Sequence, residues 1–211
     1  LLFFTLALAG GEYAICALGY VAAYELFSKG EAWSARLRGL ALAAAPAALY
    51  LGAHVTLGYG AKGSVVYIGP FDNPGHFAAE ALLRIPAMIA TEFVLEPGEE
   101  VYAMILLRSP KIFVGLIPIV VLIALVVDSW RRSDADGRRL LGTAGLGMLL
   151  AMLPLVGTVP SVRLLLIASF GGSALLGAII WDSGLRLLAG RTVGAWLRAL
   201  ATIPLAIWHL G

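Results

Sequence analysis

Charge is what this sequence has least of. Only 13% of its 211 residues are Asp, Glu, Lys or Arg, and 60% are hydrophobic, against roughly 25% charged in a soluble domain. The mean hydropathy of +0.91 excludes a water-soluble enzyme and identifies an integral membrane protein. The net charge is only +2, and the arginines stand beside apolar runs rather than on a stripe interleaved with aromatics. That excludes a nucleic-acid reader. The single cysteine, Cys16, allows no intramolecular disulfide and reads as a small packing residue. The three histidines, His54, His76 and His209, are too scattered to form a zinc site by spacing. The sequence has neither a phosphate-binding GxxxxGK[ST] loop nor an HExxH helix. Glu99–Glu100 invites comparison with proteases carrying EExxxR, but that position is Met104. No GxSG accompanies a histidine, and no inverted repeat with paired broken helices, the usual transporter signature, is visible. The chain opens LLFFTLALAG without an initiator Met or a basic leader and stops inside the apolar ATIPLAIWHLG, so we expect an internal piece of a larger multi-pass protein.

What is present is a series of apolar runs. A spanning helix needs about 20 mostly apolar residues, and the sequence predicts an all-α bundle with spans at 1–27, 40–57, 112–127, 140–159 and 163–181. A sixth at 193–209 is weakened by Arg198 and Pro204. The second run is rich in alanine, which lets helix backbones approach, so a central position is expected for it. Ser169, Ser173 and Gly177 form a small-residue stripe expected to be a helix contact. Glu25 precedes Lys29 by four residues, the favourable ion-pair spacing. The connections 28–38, 128–139 and 182–192 carry three, four and two Lys or Arg, and five alternating spans place all of them on one side. The positive-inside rule makes that side cytoplasmic.

The segment 58–111 then becomes one long extracytoplasmic loop. Its first part, GYGAKGSVVYIGPFDNPGHFAAE, is too irregular to cross lipid, because unpaired backbone groups are not tolerated in hydrocarbon. Asn73 followed by Pro74 predicts a helix start. His76, Glu80 and Arg84 recur at i, i+4, i+8 and read as the solvated face of an amphipathic helix lying in the interface, with Pro86 interrupting it.

Polar groups converge near this loop. At about 1.5 Å per residue, Glu12 lies ~25 Å from Lys29, and His54 lies ~24 Å from Arg38. In a hydrocarbon core of ~30 Å both approach the outer boundary, where Arg163 begins the fifth predicted span. An ionisable residue inside a span is a functional candidate by default, although an ion pair between Glu12 and another span would serve the bundle equally. An outer-leaflet arginine suits a phosphate, and Asp72 suits either a turn or a general base.

The segment GEYAICALGYVAAYELF, the later LGYGAKGSVVYIGPFDNPGHF and MLLAMLPLVGTVPSVRLLLIASFGGSALLG resemble a group of uncharacterised bacterial multi-pass membrane proteins. Those carry a Gly-Glu near the start of a span, a loop of type GYG–GSG–Y–DP–P–F and a Pro-x-x-Arg-Leu-Leu segment. Here Ile68-Gly69-Pro70 stands where their Asp-Pro would be, and Asp72 comes later. The plan is similar to that of GT-C membrane glycosyltransferases, which transfer sugars from polyprenyl-phosphate donors at the outer leaflet, so the resemblance implies a location in the bacterial inner membrane. Those enzymes' usual acidic residue would fall before Leu1.

If the chain is such an enzyme, the converging residues make Asp72 and Glu12 the expected catalytic carboxylates, with Arg163, His54, His76, Tyr59 and Tyr67 expected to bind a polyprenyl-phosphate-linked substrate. Glu12 and His54 would orient the arginine or hold a divalent metal, and no resident cofactor or metal site is otherwise expected. The expected partners are membrane lipid and the remainder of the chain. Two other classes are open: a transporter or flippase with an ion-coupled site at Glu12 and His54, and a non-catalytic assembly subunit.

Overall fold

A computed structural model describes the chain except for residues 1, 29, 60–66, 95–97, 110, 191 and 211. Residues 10, 12, 94, 111–116, 118 and 208–210 are described by backbone alone. The described residues form nine α-helices and three short 3-10 turns, with no strand. The α-helices are α1 (Leu2–Gly10), α2 (Ala17–Phe27), α3 (Trp33–Thr56), α4 (Pro74–Val94), α5 (Gly98–Leu106), α6 (Lys111–Arg132), α7 (Ala135–Met152), α8 (Ala168–Ala189) and α9 (Val193–Leu210). The 3-10 turns lie at Glu12–Cys16, Leu153–Gly157 and Val162–Leu164. Among the described residues, three segments are long and apolar enough to cross a membrane: Trp33–Thr56, Ala135–Gly157 and Ala168–Ala189. The all-helical class and the membrane character read from the sequence therefore stand.

The core seam is the antiparallel pair α2 and α7. It is close because its contact positions are glycines. A Cβ on Gly19 would lie 2.5 Å from the backbone nitrogen of Ala151, and one on Gly147 would lie 2.3 Å from the Tyr20 ring. Gly142 faces the Phe27 ring in the same way, at 2.4 Å. The α7–α8 hairpin repeats the device at Gly171, where a Cβ would meet the Ala144 carbonyl at 2.4 Å. Small residues of this kind let backbones pack without side-chain spacers. Around the seam lie buried Met148, Met152, Leu155, Leu175, Leu176 and Ile179.

Several boundaries differ from the sequence reading. The first predicted span is interrupted: α1 ends at Gly10, and Gly11 and Glu12 open a 3-10 turn before α2 begins. Gly10-Gly11 has the lowest helix propensity of the run outside proline, and the break falls there. Arg163 does not begin a long helix. It sits on its own 3-10 turn, and α8 starts at Ala168 and continues through Asp182 and Arg186. The alanine-rich α3 is peripheral, since only 6% of its most apolar stretch is buried within the protein. Ser173 and Gly177 face open space, and α8 instead packs through Ala168, Gly171, Gly172 and Leu175. The ion pair proposed for Glu25 with Lys29 lies outside the described residues on its Lys29 side.

The largest correction concerns α4. Asn73 caps it as expected, its Oδ1 accepting from the His76 N–H at 3.0 Å, and Pro86 is carried inside a continuous helix. Its second half is no interfacial face. Arg84, Ala87, Met88, Ala90, Thr91 and Phe93 are all buried, against the Leu153–Gly157 turn, α6 and the α5 hairpin partner. Gly98, at the start of α5, fits beneath Thr91 and Pro160, leaving no space for a side chain. The segment 58–111 is therefore partly built into the bundle.

Candidate functional site

Two charged assemblies mark the two ends of the helix bundle. At the end of the basic connections, Arg198 on α9 is buried and reaches α6 and α8 together. Its guanidinium pairs with Asp128 and, at 2.9 Å, with Asp182. It also donates to Ser129 Oγ at 2.6 Å and to Ser183 Oγ at 3.1 Å. Thr202 joins the group by a 3.1 Å contact with Ser183. Arg132 and Arg186 attend the same carboxylates from one turn away, at 2.7 and 3.0 Å. Arg198, counted from sequence as weakening the last helix, is thus the residue that docks it.

At the other end stands Arg84. Its Nε pairs with Glu80 at 2.8 Å, and its terminal nitrogen donates to the carbonyls of Val156 at 2.9 Å and Thr158 at 2.7 Å. These are carbonyls released where α7 unwinds, and a helix end buried without partners would be costly. Tyr102 closes the group, donating to Glu80 at 2.6 Å, with the guanidinium 5.2 Å from its ring centre. Burial pushes the Glu80 carboxyl up, but the Tyr102 hydroxyl and the Arg84 guanidinium outweigh it and hold it below the usual carboxylate range.

The residues chosen from sequence lie around this second end. The Ile68 N–H donates to the Gly157 carbonyl at 2.9 Å, which ties the segment carrying Tyr67 and Asp72 to the unwound end of α7. Asp72 is exposed and folds back over Gly69, whose Cβ would meet Asp72 Oδ2 at 2.2 Å. His76 is exposed on the first turn of α4. Arg163 is exposed and has no hydrogen bond or ion pair with any described residue, on a turn that touches α4. The backbone of Glu12 lies in the turn packed against Leu153–Gly157, which brings it to the same end, while its side chain is outside the described residues. His54 is placed differently. It lies between Tyr50 and Tyr59, at ring-centre distances of 5.8 and 5.6 Å, in the last turn of peripheral α3. Tyr59 and Tyr67 are more than half exposed.

Glu92, Tyr102 and Tyr20 were not singled out from sequence, and Arg84 was read only as part of a solvated stripe. Glu92 stood in the apolar run IPAMIATEFV, and a lone carboxylate there was the available signal. No group of three or more His, Cys, Asp or Glu among the described residues could hold a metal ion. An apolar crevice of about 380 Å³ lies between α1, α2 and α3, lined by Phe4, Leu18, Val21, Leu42 and Ala43 among others. It includes none of the residues chosen from sequence. Chemically, the Arg84 end offers an exposed cation unpaired among the described residues, an exposed carboxylate and an exposed imidazole. Comparison with protein families, with characterised proteins and with solved structures finds no match for this chain.

Proposed function

We propose that the chain is a bacterial inner-membrane helix bundle that engages a polyprenyl-phosphate-linked donor at its outer face, as a GT-C-like glycosyltransferase does. The observation that carries the reading is Arg163: an exposed guanidinium, free of partners among the described residues, at the end remote from the basic connections. A guanidinium held there is suited to two-point binding of phosphate. Asp72 and His76 stand on neighbouring, exposed backbone tied to the same base, where Asp72 would act as general base toward an acceptor hydroxyl. Glu12, Tyr59 and Tyr67 complete the proposed site, and His54 contributes through the aromatic group it forms with Tyr59. Five or six crossings, with the basic connections cytoplasmic, set this orientation.

The test is binding of a polyprenyl-phosphate analogue to the purified chain in lipid nanodiscs. Arg163→Gln removes charge-assisted hydrogen bonds worth about 1.5–3 kcal/mol each, so affinity should fall at least tenfold. Arg163→Lys should recover only part of it. Unchanged affinity in Arg163→Gln would remove the arginine, and the lipid-phosphate reading with it.

A second reading, a transporter or flippase, is favoured by one observation. The interrupted helix at Glu12–Cys16 packs against the interrupted end of α7 at Leu153–Gly157, and paired helix breaks are where transporters hold ions and substrates. Flux across proteoliposomes, retained in Asp72→Asn, would favour this reading over transfer chemistry.

A further inference from the structure

Three other part-buried carboxylates of the described fold each have an arginine. Glu80 has Arg84, Asp128 has Arg198 and Arg132, and Asp182 has Arg198 and Arg186. Glu92 does not. It projects from α4 into the joint between α4 and α8, where one oxygen is hydrogen-bonded to Ser169 Oγ at 2.9 Å, a hydroxyl that also lies 2.9 Å from the Leu165 carbonyl. The other lies against Gly172, within 2.3 Å of where a Cβ would stand. Gly172 is itself buried, so the glycine is what makes room for the carboxyl group.

The surrounding groups leave Glu92 without a cation among the described residues. From α2 the titratable neighbour is Tyr20, whose hydroxyl accepts from the Gly171 N–H at 2.8 Å and is shared between the Ala168 and Ile167 carbonyls at 2.8 and 3.0 Å. Its proton is thus engaged away from Glu92. From α8 come Ser169 and Gly172. Arg84, two turns back on α4, is committed to Glu80 and two carbonyls. Arg198 of α9 is held by Asp128 and Asp182. On α5, Glu99 and Glu100 are exposed and Tyr102 is bound to Glu80. On α6, the Lys111 side chain is outside the described residues.

An ionised carboxylate taken from water without a partner is costly, and the usual resolution is to neutralise it. We infer that Glu92 is a proton-binding site of the bundle, occupied by H⁺ at neutral pH, the neutral acid donating its proton to Ser169 Oγ while the single serine proton goes to the Leu165 carbonyl at 2.9 Å. The first turn of α8 supplies a polar rather than a cationic setting. This site is separate from the lipid-phosphate reading, and either can fail without the other.

The test uses the full chain in detergent and N,N′-dicyclohexylcarbodiimide, an apolar reagent that adds to protonated carboxylic acids and rearranges to a stable N-acylurea with no leaving group. Peptide mass spectrometry at pH 7 should find Glu92 modified at least tenfold more than Glu80, Asp128 or Asp182. Modification should decline as pH is raised and be absent in Glu92→Gln. Because glutamine copies the shape and charge of the neutral acid, Glu92→Gln should keep its unfolding midpoint at pH 7. Absence of modification at Glu92, or modification no greater than at the arginine-paired carboxylates, overturns the assignment. So does a marked fall in the midpoint of Glu92→Gln, which is the behaviour of an ionised carboxylate paired with a lysine.

Discussion

Arg84 holds Glu80 at 2.8 Å through Nε from one turn along the same helix, and this leaves its Nη1 to satisfy the unwound end of α7. Lysine at position 84 would keep the charge but could not serve carboxylate and carbonyls at once, because only the guanidinium presents donors in a planar fork. Arg84→Lys should therefore cost about 1.5–3 kcal/mol. Glu80→Gln should cost about 3 kcal/mol at pH 7 by stranding a buried cation. The Glu80 carboxyl is held low in the fold, so its stabilisation is present above the ordinary carboxylate value of ~4.3 and is lost as pH falls through and below it. The unfolding midpoint of the unsubstituted protein should drop more steeply below about pH 5 than that of Glu80→Gln. Parallel curves would show that the pair carries no pH-linked stability.

The glycines of the seam divide into two classes that stability measurements should separate. Gly19→Ala places a methyl 2.5 Å from the Ala151 backbone, which cannot move aside as a side chain end could. A loss of about 1–3 kcal/mol or more is expected from overpacking. Gly177, which sequence spacing had placed on a helix contact, has nothing within 4 Å. Gly177→Ala should be neutral or stabilising by up to about 1 kcal/mol through helix propensity. Equal effects at the two positions would contradict the packing.

At the opposite end, the asymmetry of the Arg198 group makes its own prediction. Replacing Asp128 and Asp182 together by asparagine leaves Arg198 buried without a carboxylate and should destabilise by about 3–5 kcal/mol. Arg198→Met should cost less, since Arg132 and Arg186 still attend both carboxylates. Thermal unfolding in detergent reads both, and a reversed order would mean that the arginine, not its burial, sets the stability of α9.

Orientation is open to labelling. In a cysteine-free background, cysteines at exposed Gly75 or Ala79 should react with an impermeant thiol reagent from outside the cell. Those at exposed Ser34 or Ala135 should react only after permeabilisation. The opposite pattern would invert the bundle.

Much of the fold was legible in the sequence because hydropathy alone identifies apolar helices. The Asn73 cap was equally plain, since side-chain capping is a local interaction. Helix neighbours were not. Alanine content suggested a central α3, yet the close contacts were made by Gly19, Gly147 and Gly171, whose role depends on what lies opposite. His76, Glu80 and Arg84 share one helical face, and periodicity made them a solvated stripe. Arg84 is buried because two carbonyls more than 70 residues away need donors, and no local pattern contains that. Of the candidate site, the chain separations were readable but the unwinding at Gly11 and before Ala168 was not, so Arg163 moved from a helix to a turn. Glu92 escaped because a single carboxylate carries no periodicity.

The glycine seam joining α2 to α7 also bears on the order in which the molecule is made. Gly19 and Tyr20 meet their partners only at residues 147–151 and 167–171, so α2 has no tight-fitting neighbour during most of synthesis. Its glycine face has no partner until the second half of the chain has been made. This glycine-lined joint is therefore a late one to close, and a lesion in α7 or α8 would leave the α2 face uncovered.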